Sequence, residues 1–522
     1  MKKILIVPSF PIWPLYGNEI DLIKQLSEEK NFIKVLNCKK TPQYCAANTF
    51  KFKNFKKIDS ICSYCTSKLS HGFDWIGKQE NIQSESYLLL NKNDEKKLKK
   101  IEIELNSKID NEKDLQLLLR NIDENLFLSI KSTLATKYQN PDINIFDDKK
   151  SLILITLDSV SSYLSASNHF KKFNPDEVYI YNGRMARFSA FYRYAKKKLE
   201  KKNIFTYEYP KQSHEGLFII KGSIPHDFEN LSQNLKKTIL KKKVNRSKLK
   251  SFGTNYLKKV FEGKQVQMPK KWENRKIQEK LPEDFDKKKL NISIFLSSEY
   301  ENKFIKENEE KYPYKNQLEG LICIEKILNK NLYSNINVYV RLHPNMGRYK
   351  HDYETLLKNF IKSKKFFIIG SDSTIDSHKL GTESDIIITF GSSMAVDMSF
   401  LNKRVFNAGP SPAMAFNIYK HFFRKQKFEN ELAKELDKHI KKNIPTKFNK
   451  KRFLQSSRFV LSYKLHNSKN KYYFSKTKEI GFLKKNNATE FLSGNKFLFA
   501  IYLLIRLIGK IAPFFKGTLN KS

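Results

Sequence analysis

The chain has 522 residues, of which 40% are hydrophobic and 13% aromatic, and its formal net charge is +43. This length predicts two domains rather than one, and the hydrophobic content excludes a disordered chain. Of the 97 basic residues 84 are lysines, spread along the whole sequence. Arginine is the residue that reads nucleic acid through a bidentate fork, so no nucleic-acid partner is expected. An anionic membrane or substrate is the favoured partner.

The N-terminal residues predict the start of an α/β domain. After the basic residues Lys2 and Lys3 of segment 2–7 (KKILIV), the apolar run from Ile4 to Val7 stops at Pro8. A secretory signal needs roughly 7 to 15 apolar residues, so the run predicts a first strand and a cytoplasmic protein. A helix over 19–29 follows, and residues 94–137 predict two helices in an insertion.

Four of the five cysteines lie in one N-terminal stretch, namely Cys38, Cys45, Cys62 and Cys65. Only Cys62 and Cys65 have the C-x-x-C spacing that lets two thiolates share a metal ion. A structural zinc ion or an iron–sulfur cluster is one interpretation, and four partly buried thiols are the other. Disulfides are not expected in a reducing compartment.

Strands alternate with helices in the rest of the chain. In the first domain (1–265) we predict further strands over 151–157, 178–181 and 204–209, with a helix from about 184 to 201. A lysine-rich linker over 266–290 leads to a second domain (291–445). Its predicted strands are 292–296, 338–342, 366–369, 385–390 and 403–406. This alternation predicts two tandem Rossmann-like domains, each with a parallel sheet covered on both faces.

The last segment, 446–522, is a basic and aromatic tail. Its apolar run 497–508 is interrupted by Arg506 and is shorter than the roughly 20 residues that a membrane span needs. We therefore predict that 497–515 forms an amphipathic helix on the membrane surface. The alternative is a helix packed on the body of the protein.

Polar residues follow the predicted strands of the second domain, where ligands of open parallel sheets bind. His343 precedes Pro344, which stops the strand, and its imidazole can donate a hydrogen bond or a proton to a phosphate oxygen. Arg341 and Asn345 flank it and suit anion or sugar contacts. A structural turn is the alternative explanation of the His-Pro pair.

A second motif, Gly391-Ser392-Ser393, precedes a predicted helix. Glycine permits a tight turn, and free amides at a helix N-terminus favour a phosphate. A helix cap would explain one serine but not both. Asp397 is a candidate for ribose hydroxyls or an ordinary exposed helix residue. The preceding strand end adds the candidate contacts Ser297, Ser298 and Glu299.

No Asp-x-Asp pair stands where a diphosphate would need a metal ion. The helix dipole, His343 and Arg341 are instead expected to stabilise the departing nucleotide phosphate. The sequence therefore predicts chemistry that requires no metal and no other cofactor.

These segments resemble the capsule polysaccharide biosynthesis family of bacterial GT-B-type glycosyltransferases. The second half matches through 294–299 (IFLSSE), 340–345 (VRLHPN), 384–397 (SDIIITFGSSMAVD) and 403–406 with Gly409. The first half matches through 181–184 (YNGR), Tyr207-Glu208 and 224–227 (IPHD). The His-Pro and Ser-Ser motifs are also similar to those of bacterial sialyltransferases, in which the histidine and serines contact the donor phosphate.

The resemblance implies transfer of a sugar from a cytidine- or uridine-linked nucleotide donor. The implied acceptor is a capsule-like polysaccharide or a lipid-linked glycan at the inner face of the cytoplasmic membrane. Two positions depart from the family pattern. Asp397 replaces the usual glutamate, and Tyr209-Pro210 follows Glu208 where the family has Arg-Gly.

An inverting transfer needs a base for the acceptor hydroxyl, expected in the first domain. Glu208 at a strand end is preferred, with Glu215 and Asp227 as further candidates and Asp158 behind them. The residues expected to line the acceptor side of the cleft are Gly183, Arg184, Glu215, His226 and Asp227.

Three other functions are compatible with the same residues. A sugar-nucleotide 2-epimerase shares the architecture and a His-Pro-Asn stretch, and a teichoic-type glycerophosphotransferase shares the His-Pro motif. A non-catalytic polyanion-binding protein would explain the charge alone. Hydrolysis of a nucleotide sugar would separate an enzyme from a binding protein.

Overall fold

The structure is a computed structural model, and fourteen α-helices and twelve strands are labelled here. It describes residues 1–9, 15–38, 79–208, 217–262, 280–305, 311–330, 335–347, 353–361, 365–441 and 449–468, with single positions between 65 and 77 and at 333. Structural statements below refer to these residues.

The first sheet has six strands in the order β3-β2-β1-β4-β5-β6, and only β6 is antiparallel to its neighbour. Its strands are β1 (Lys3–Val7), β2 (Phe32–Asn37), β3 (Ile82–Ser86), β4 (Glu177–Tyr181), β5 (Ile204–Glu208) and β6 (Phe218–Lys221). The central β1 is covered on both faces, since Leu5, Ile6 and Val7 are each 0% exposed.

The second sheet is parallel throughout, in the order β12-β11-β10-β7-β8-β9. Its strands are β7 (Leu290–Phe295), β8 (Ile336–Arg341), β9 (Phe366–Ile369), β10 (Ile386–Thr389), β11 (Arg404–Asn407) and β12 (Lys420–His421). Numbered from its own first strand, each sheet has the order 3-2-1-4-5-6 of dinucleotide-binding domains. The prediction of two tandem Rossmann-like domains is confirmed.

The helices of the first domain cover both faces of its sheet. They are α1 (Leu15–Glu28), α2 (Lys92–Ser107), α3 (Glu112–Arg120), α4 (Leu126–Tyr138), α5 (Lys149–Phe173), α6 (Ala186–Lys198), α7 (Phe228–Lys241) and α8 (Arg246–Phe261). The insertion therefore contains three helices, α2 to α4, rather than the two predicted. Asn91 begins α2 with a capping box that includes Asp94.

The prediction of a strand over 151–157 is wrong, because these residues lie in the long helix α5. The Asp148 side chain accepts from the Ser151 amide and caps this helix. The buried residues of α5 occur all around it, since it packs against α2, α4 and α6 and, through Phe173, against Phe32 of β2. Burial on every side removes the amphipathic period from the sequence, which made the segment look like a strand.

The second domain has five helices around its sheet, and α14 follows them. They are α9 (Gln317–Lys330), α10 (Tyr353–Phe360), α11 (Ser377–Glu383), α12 (Met394–Phe400), α13 (Lys425–Lys441) and α14 (Lys450–Ser468). The end of the expected linker is packed onto this domain, since Phe285 stacks on Tyr339 with ring centroids 5.3 Å apart. The Tyr339 hydroxyl also donates to the Asp284 carbonyl at 3.0 Å.

The expected tail begins as part of the body, because α14 packs on α7, α8, α12 and β6. One hydrophobic cluster joins Leu235 of the first domain, Phe400 of the second and Phe459 of α14. The membrane-surface segment 497–515 lies outside the described residues. Among the described helices none is long and apolar enough to cross a membrane.

Candidate functional site

His343 lies directly beyond the carboxyl end of β8, as predicted. Its Nδ1 accepts a hydrogen bond from the Asn345 amide at 3.2 Å and lies 3.0 Å from the Ser298 Oγ. An amide can only donate, so Nδ1 is an acceptor and the proton of the neutral ring is on Nε2. The His-Pro-Asn turn therefore fixes the tautomer of the imidazole.

Ser297 and Glu299 form hydrogen bonds that stabilise the same edge of the second sheet. Ser297 Oγ donates to the Phe390 carbonyl at 2.8 Å, which links the ends of β7 and β10. Glu299 Oε2 accepts from the Gln317 amide and from its side chain, each at 3.2 Å. Burial raises the pKa of Glu299 to about 7. These two residues position Ser298, which carries the contact to His343.

Asn407 organises the turn at Gly391, and the sequence did not single it out. It is fully buried, and its Oδ1 accepts from the Thr389 hydroxyl at 2.7 Å and from the Gly391 amide at 3.0 Å. Its Nδ2 donates to the Gly409 carbonyl at 2.7 Å. Gly391 has φ +97°, and a Cβ there would lie 2.5 Å from the Pro410 carbonyl oxygen. Glycine is therefore required by both backbone angle and space.

The two serines of this turn remain at the surface, while all seven residues of the following helix α12 are buried. Ser392 is half-buried and Ser393 is exposed. Ser393 occupies the cap position without a side-chain capping bond. The helix has seven residues. Both hydroxyls thus lie at the edge that also carries His343.

The guanidinium of Arg341 forms hydrogen bonds within the protein. It is 6% exposed, and its guanidinium donates to the backbone carbonyls of Gly370 and, at 3.1 Å, Ser373. Its Nε also donates to the Ser377 Oγ at 3.4 Å. These bonds tie the loop after β9 to the end of β8.

The carboxylate of Asp397 also has partners within the protein, one of them in the first domain and one in the second. It is 3% exposed and so is not the exposed helix residue considered from the sequence. Its Oδ1 accepts from the Tyr256 hydroxyl of α8 at 2.8 Å, and its Oδ2 lies 3.2 Å from His378 Nε2. Burial by itself lowers the pKa of His378, but the bond to Asp397 and its charge raise that pKa overall.

His421 is a further polar residue that sequence reasoning missed. Its Nδ1 accepts a hydrogen bond from the side-chain Nδ2 of Asn407 at 2.8 Å, and its buried Nε2 has no hydrogen-bond partner among the described residues. Burial lowers the pKa of His421 to about 4, so the ring is neutral at pH 7. No motif in the sequence marked this position.

The first domain brings Glu208, Asn182 and His226 together at the carboxyl end of its sheet. The Asn182 amide donates to Glu208 Oε1, and His226 Nδ1 lies 3.9 Å from the same oxygen. Glu208 is half-buried, whereas His226 is 5% exposed. A carboxylate oriented by an amide and beside a histidine can accept a proton.

Gly183 and Arg184, which were also predicted for this side, make contacts within the protein. Gly183 has φ +72°, and a Cβ would lie 2.7 Å from Ile224. The Arg184 guanidinium donates to Ser132 and Thr136 on α4 at 2.8 and 2.9 Å. Arg184 therefore anchors the helical insertion.

The remaining carboxylates are less suited to act as the base. Asp227 caps α7 and accepts from the Ser223 hydroxyl at 2.6 Å. Asp158 is buried within α5 and pairs with Arg187 at 3.2 Å. Glu215 lies outside the described residues.

Glu19 is a buried acid that the sequence did not reveal. Its Oε1 accepts from the Ser9 amide at 2.7 Å and from the Tyr207 hydroxyl at 2.8 Å. Burial raises the pKa of Glu19 to about 7. It supports the loop after β1, and in sequence it looks like any polar residue of an amphipathic helix.

Segments that follow strand ends of the two sheets contact each other. Lys311 of the second domain pairs with Glu229 at 2.6 Å, and Lys303 pairs with Asp142. Tyr300 and Phe304 pack on Ala135 of the insertion. These contacts join the segment that follows β7 to the first domain.

The proposed metal ligands are only partly described. Cys38 and Cys65 are half-buried, whereas Cys45 and Cys62 lie outside the described residues. Within the described part of the chain, no group of three or more metal-binding side chains occurs. The cysteine site remains a prediction.

No family model and no curated protein matches the chain. Solved structures do match it, at low identity. Thermosulfurimonas dismutans KpsC, a β-Kdo 2,4 transferase, is 14% identical with a TM-score of 0.36, over 54% of this chain and 79% of that one. The Neisseria meningitidis UDP-GlcNAc 2-epimerase is 12% identical with a TM-score of 0.29, over 90% and 100%.

A third solved structure, Anabaena HepE in complex with UDP and glucose, is 10% identical with a TM-score of 0.26, over 95% of this chain and 100% of that one. At these identities and TM-scores, the similarities carry no conclusion about the activity of this chain.

Proposed function

We propose that the chain is a glycosyltransferase that moves a sugar from a cytidine- or uridine-linked donor to a capsule-like polysaccharide or a lipid-linked acceptor. The observation that carries the proposal is His343, held with its proton on Nε2 at the strand edge. A fixed N–H donor there suits a phosphate oxygen, whose negative charge grows as the bond to the sugar breaks.

The rest of the donor site is assigned around this imidazole. Ser298, Asn345, Ser392 and Ser393 are the proposed phosphate and sugar contacts, with Gly391 allowing close approach of the backbone. Arg341 acts by holding the neighbouring loop, because its guanidinium already binds carbonyl groups. Asp397 joins the two halves rather than binding ribose, because both of its oxygens have partners.

Glu208 is the proposed base for the acceptor hydroxyl. It lies at the end of β5. The Asn182 side chain donates a hydrogen bond to its Oε1, and His226 Nδ1 lies 3.9 Å from the same oxygen. In the transfer, the acceptor oxygen forms the new bond to the sugar carbon and gives its proton to Glu208. The nucleotide leaves with the electron pair of the broken bond, next to His343.

Donor binding is tested by the melting temperature of the protein with CMP, CDP, UMP or UDP. One of these nucleotides should raise the melting temperature of the wild type. The expected effect is smaller for His343→Ala and unchanged for Ser251→Ala, an exposed control position on α8. Absence of a shift with all four nucleotides would contradict the assignment of the second domain.

Product analysis tests the reaction itself. Transfer should release the nucleotide and join the sugar to an acceptor glycan. Recovery of an epimerised nucleotide sugar without transfer would instead identify a 2-epimerase. Transfer of a glycerophosphate would identify a teichoic-type enzyme.

The donor site is proposed to work without a metal ion. Activity should therefore persist in EDTA, with the metal content of the protein measured in parallel because of Cys62 and Cys65. Inhibition that added magnesium reverses would show that the phosphate site is incorrectly assigned.

A further inference from the structure

The helical hairpin formed by α7 and α8 has an unusual charge distribution. Residues 228–261 contain ten basic residues and one acidic residue, Glu229, which pairs with Lys311 at 2.6 Å. The hairpin of α2 and α3, by contrast, has eight basic and seven acidic residues over 92–120. The basic hairpin is therefore a local feature and not only a sample of the average composition.

The inner faces of the basic hairpin are used for packing. Leu231, Leu235 and Ile239 of α7 are buried. On α8, a Cβ added at Gly253 would lie 2.1 Å from the Ser457 Oγ of α14. Close packing on α14 thus fixes the hairpin on the body and directs its other side outward.

The hairpin exposes nine basic side chains and one acidic one, Glu229, together with neutral residues such as Ser251 and Asn255. Among the described residues, the only ion pair of these basic side chains joins Lys258 to Glu262 at 3.8 Å. The exposed basic residues are Lys237, Lys241, Lys242, Lys243, Arg246, Lys248, Lys250, Lys258 and Lys259. Next to them, Leu240 is 62% exposed near the tip of the hairpin.

We propose that the basic hairpin docks the protein on a membrane surface rich in anionic lipids. Each lysine or arginine near such a surface contributes about 1 kcal/mol, and an exposed leucine can enter the interface. Nine of the ten basic residues are lysines, which lack the bidentate fork that nucleic-acid recognition favours.

The amino-acid sequence that follows α14 supports the same partner. Lys464, near the end of α14, lies 5.8 Å from the ring centroid of Phe252 on α8. The sequence that continues from this end carries the apolar and basic run 497–515. Residues 469–496 lie between α14 and this run, so a membrane contact made by the run would be covalently linked to the hairpin, and linked contacts reinforce each other.

The test is co-sedimentation of the full chain with phosphatidylcholine vesicles containing one-third phosphatidylglycerol. We expect binding that falls as the salt concentration rises from about 0.1 M to 0.5 M, because the Debye length shortens. Replacement of Lys241, Lys242, Lys243 and Arg246 by glutamine should weaken partitioning at least tenfold.

The matched control replaces Lys96, Lys97, Lys99 and Lys100 of α2 by glutamine, which removes the same charge from another exposed helix. This control should bind vesicles as the wild type does. Equal loss in both variants would mean that net charge alone acts, and unchanged binding of the hairpin variant would mean that the hairpin is not the contact. Either result overturns the proposal, as does preferential binding of RNA over vesicles.

The proposal is independent of the glycosyltransferase assignment. The nucleotide-induced rise in melting temperature should be the same in the hairpin variant, the control and the wild type. A loss of vesicle binding with an unchanged nucleotide response supports the basic hairpin as the membrane contact, whichever reaction the protein catalyses.

Discussion

The two domains share a strand order but use the carboxyl ends of their strands differently. In the second domain the backbone around His343 fixes its tautomer, and Asn407 holds the turn that precedes two surface serines. In the first domain Arg184 anchors the insertion, and Asp227 caps a helix. Of the described residues proposed there, Glu208 is the one with a carboxylate suited to proton transfer.

This difference shows that a strand end marks where a site can form, but not which side chains serve it. Arg341 and Asp397 lie at the favoured edge of the second sheet, yet their polar atoms bind the protein. The predicted division of labour is a donor site in the second domain and a base in the first. His343→Ala and Glu208→Gln test that division, and Asn407→Ala and His378→Gln test the contacts that support it.

The largest effect is expected for His343→Ala. If His343 donates a hydrogen bond to the leaving phosphate as proposed, its removal should lower kcat/KM by about 10³-fold, the upper range for loss of such a group. The melting temperature without ligand should be close to that of the wild type, because the ring is half-buried. Normal turnover in this variant would remove the basis for the donor site.

Glu208→Gln should separate the roles of the domains. It should lower kcat by about 10²-fold, because the amide cannot take the acceptor proton. The nucleotide-induced change in melting temperature should be retained, since the proposed donor site lies in the other domain. If nucleotide binding is lost together with kcat, the two domains do not divide the work as proposed.

Asn407→Ala tests the hydrogen bonds that hold the turn at Gly391 in the proposed donor site. The side chain of Asn407 is fully buried and makes four hydrogen bonds. Alanine cannot replace these bonds, so the polar groups that they join would be left without them. We expect a loss of about 2–4 kcal/mol in the free energy of unfolding, measured by urea denaturation. Asn255→Ala, at an exposed position of α8, is the control and should change stability little.

The smallest effect concerns His378, which contacts the carboxylate that joins the domains. Its folded pKa is raised, so its contribution to stability is present below its ordinary pKa of 6.5. This contribution is lost as the pH rises through the folded pKa. The melting temperature of the wild type should therefore exceed that of His378→Gln most at about pH 6 and least at about pH 8.5.

His421→Gln is the control of opposite sign. Burial lowers the pKa of His421 to about 4, so the wild type should lose stability relative to this variant as the pH falls below 6.5. Equal pH dependence in the two variants would mean that Asp397 does not stabilise the charged form of His378.

The sequence predicted the parts of this protein that depend on local pattern. Buried strands of α/β sheets are short apolar runs, so β1, β4, β5 and the strands β7 to β11 were found close to their observed bounds. The positions of His343, Ser392 and Glu208 at strand ends followed from the same pattern.

Only the tertiary structure decided how buried segments and polar atoms are used. Helix α5 is buried on all sides and therefore lacks a helical period, and α14 belongs to the body because distant residues cover its apolar side. The partners of Arg341 and Asp397, and the roles of Asn407 and His421, depend on contacts between segments far apart in sequence. Such contacts leave no local signal, because a polar side chain has the same identity in the sequence whether it binds a ligand or the protein.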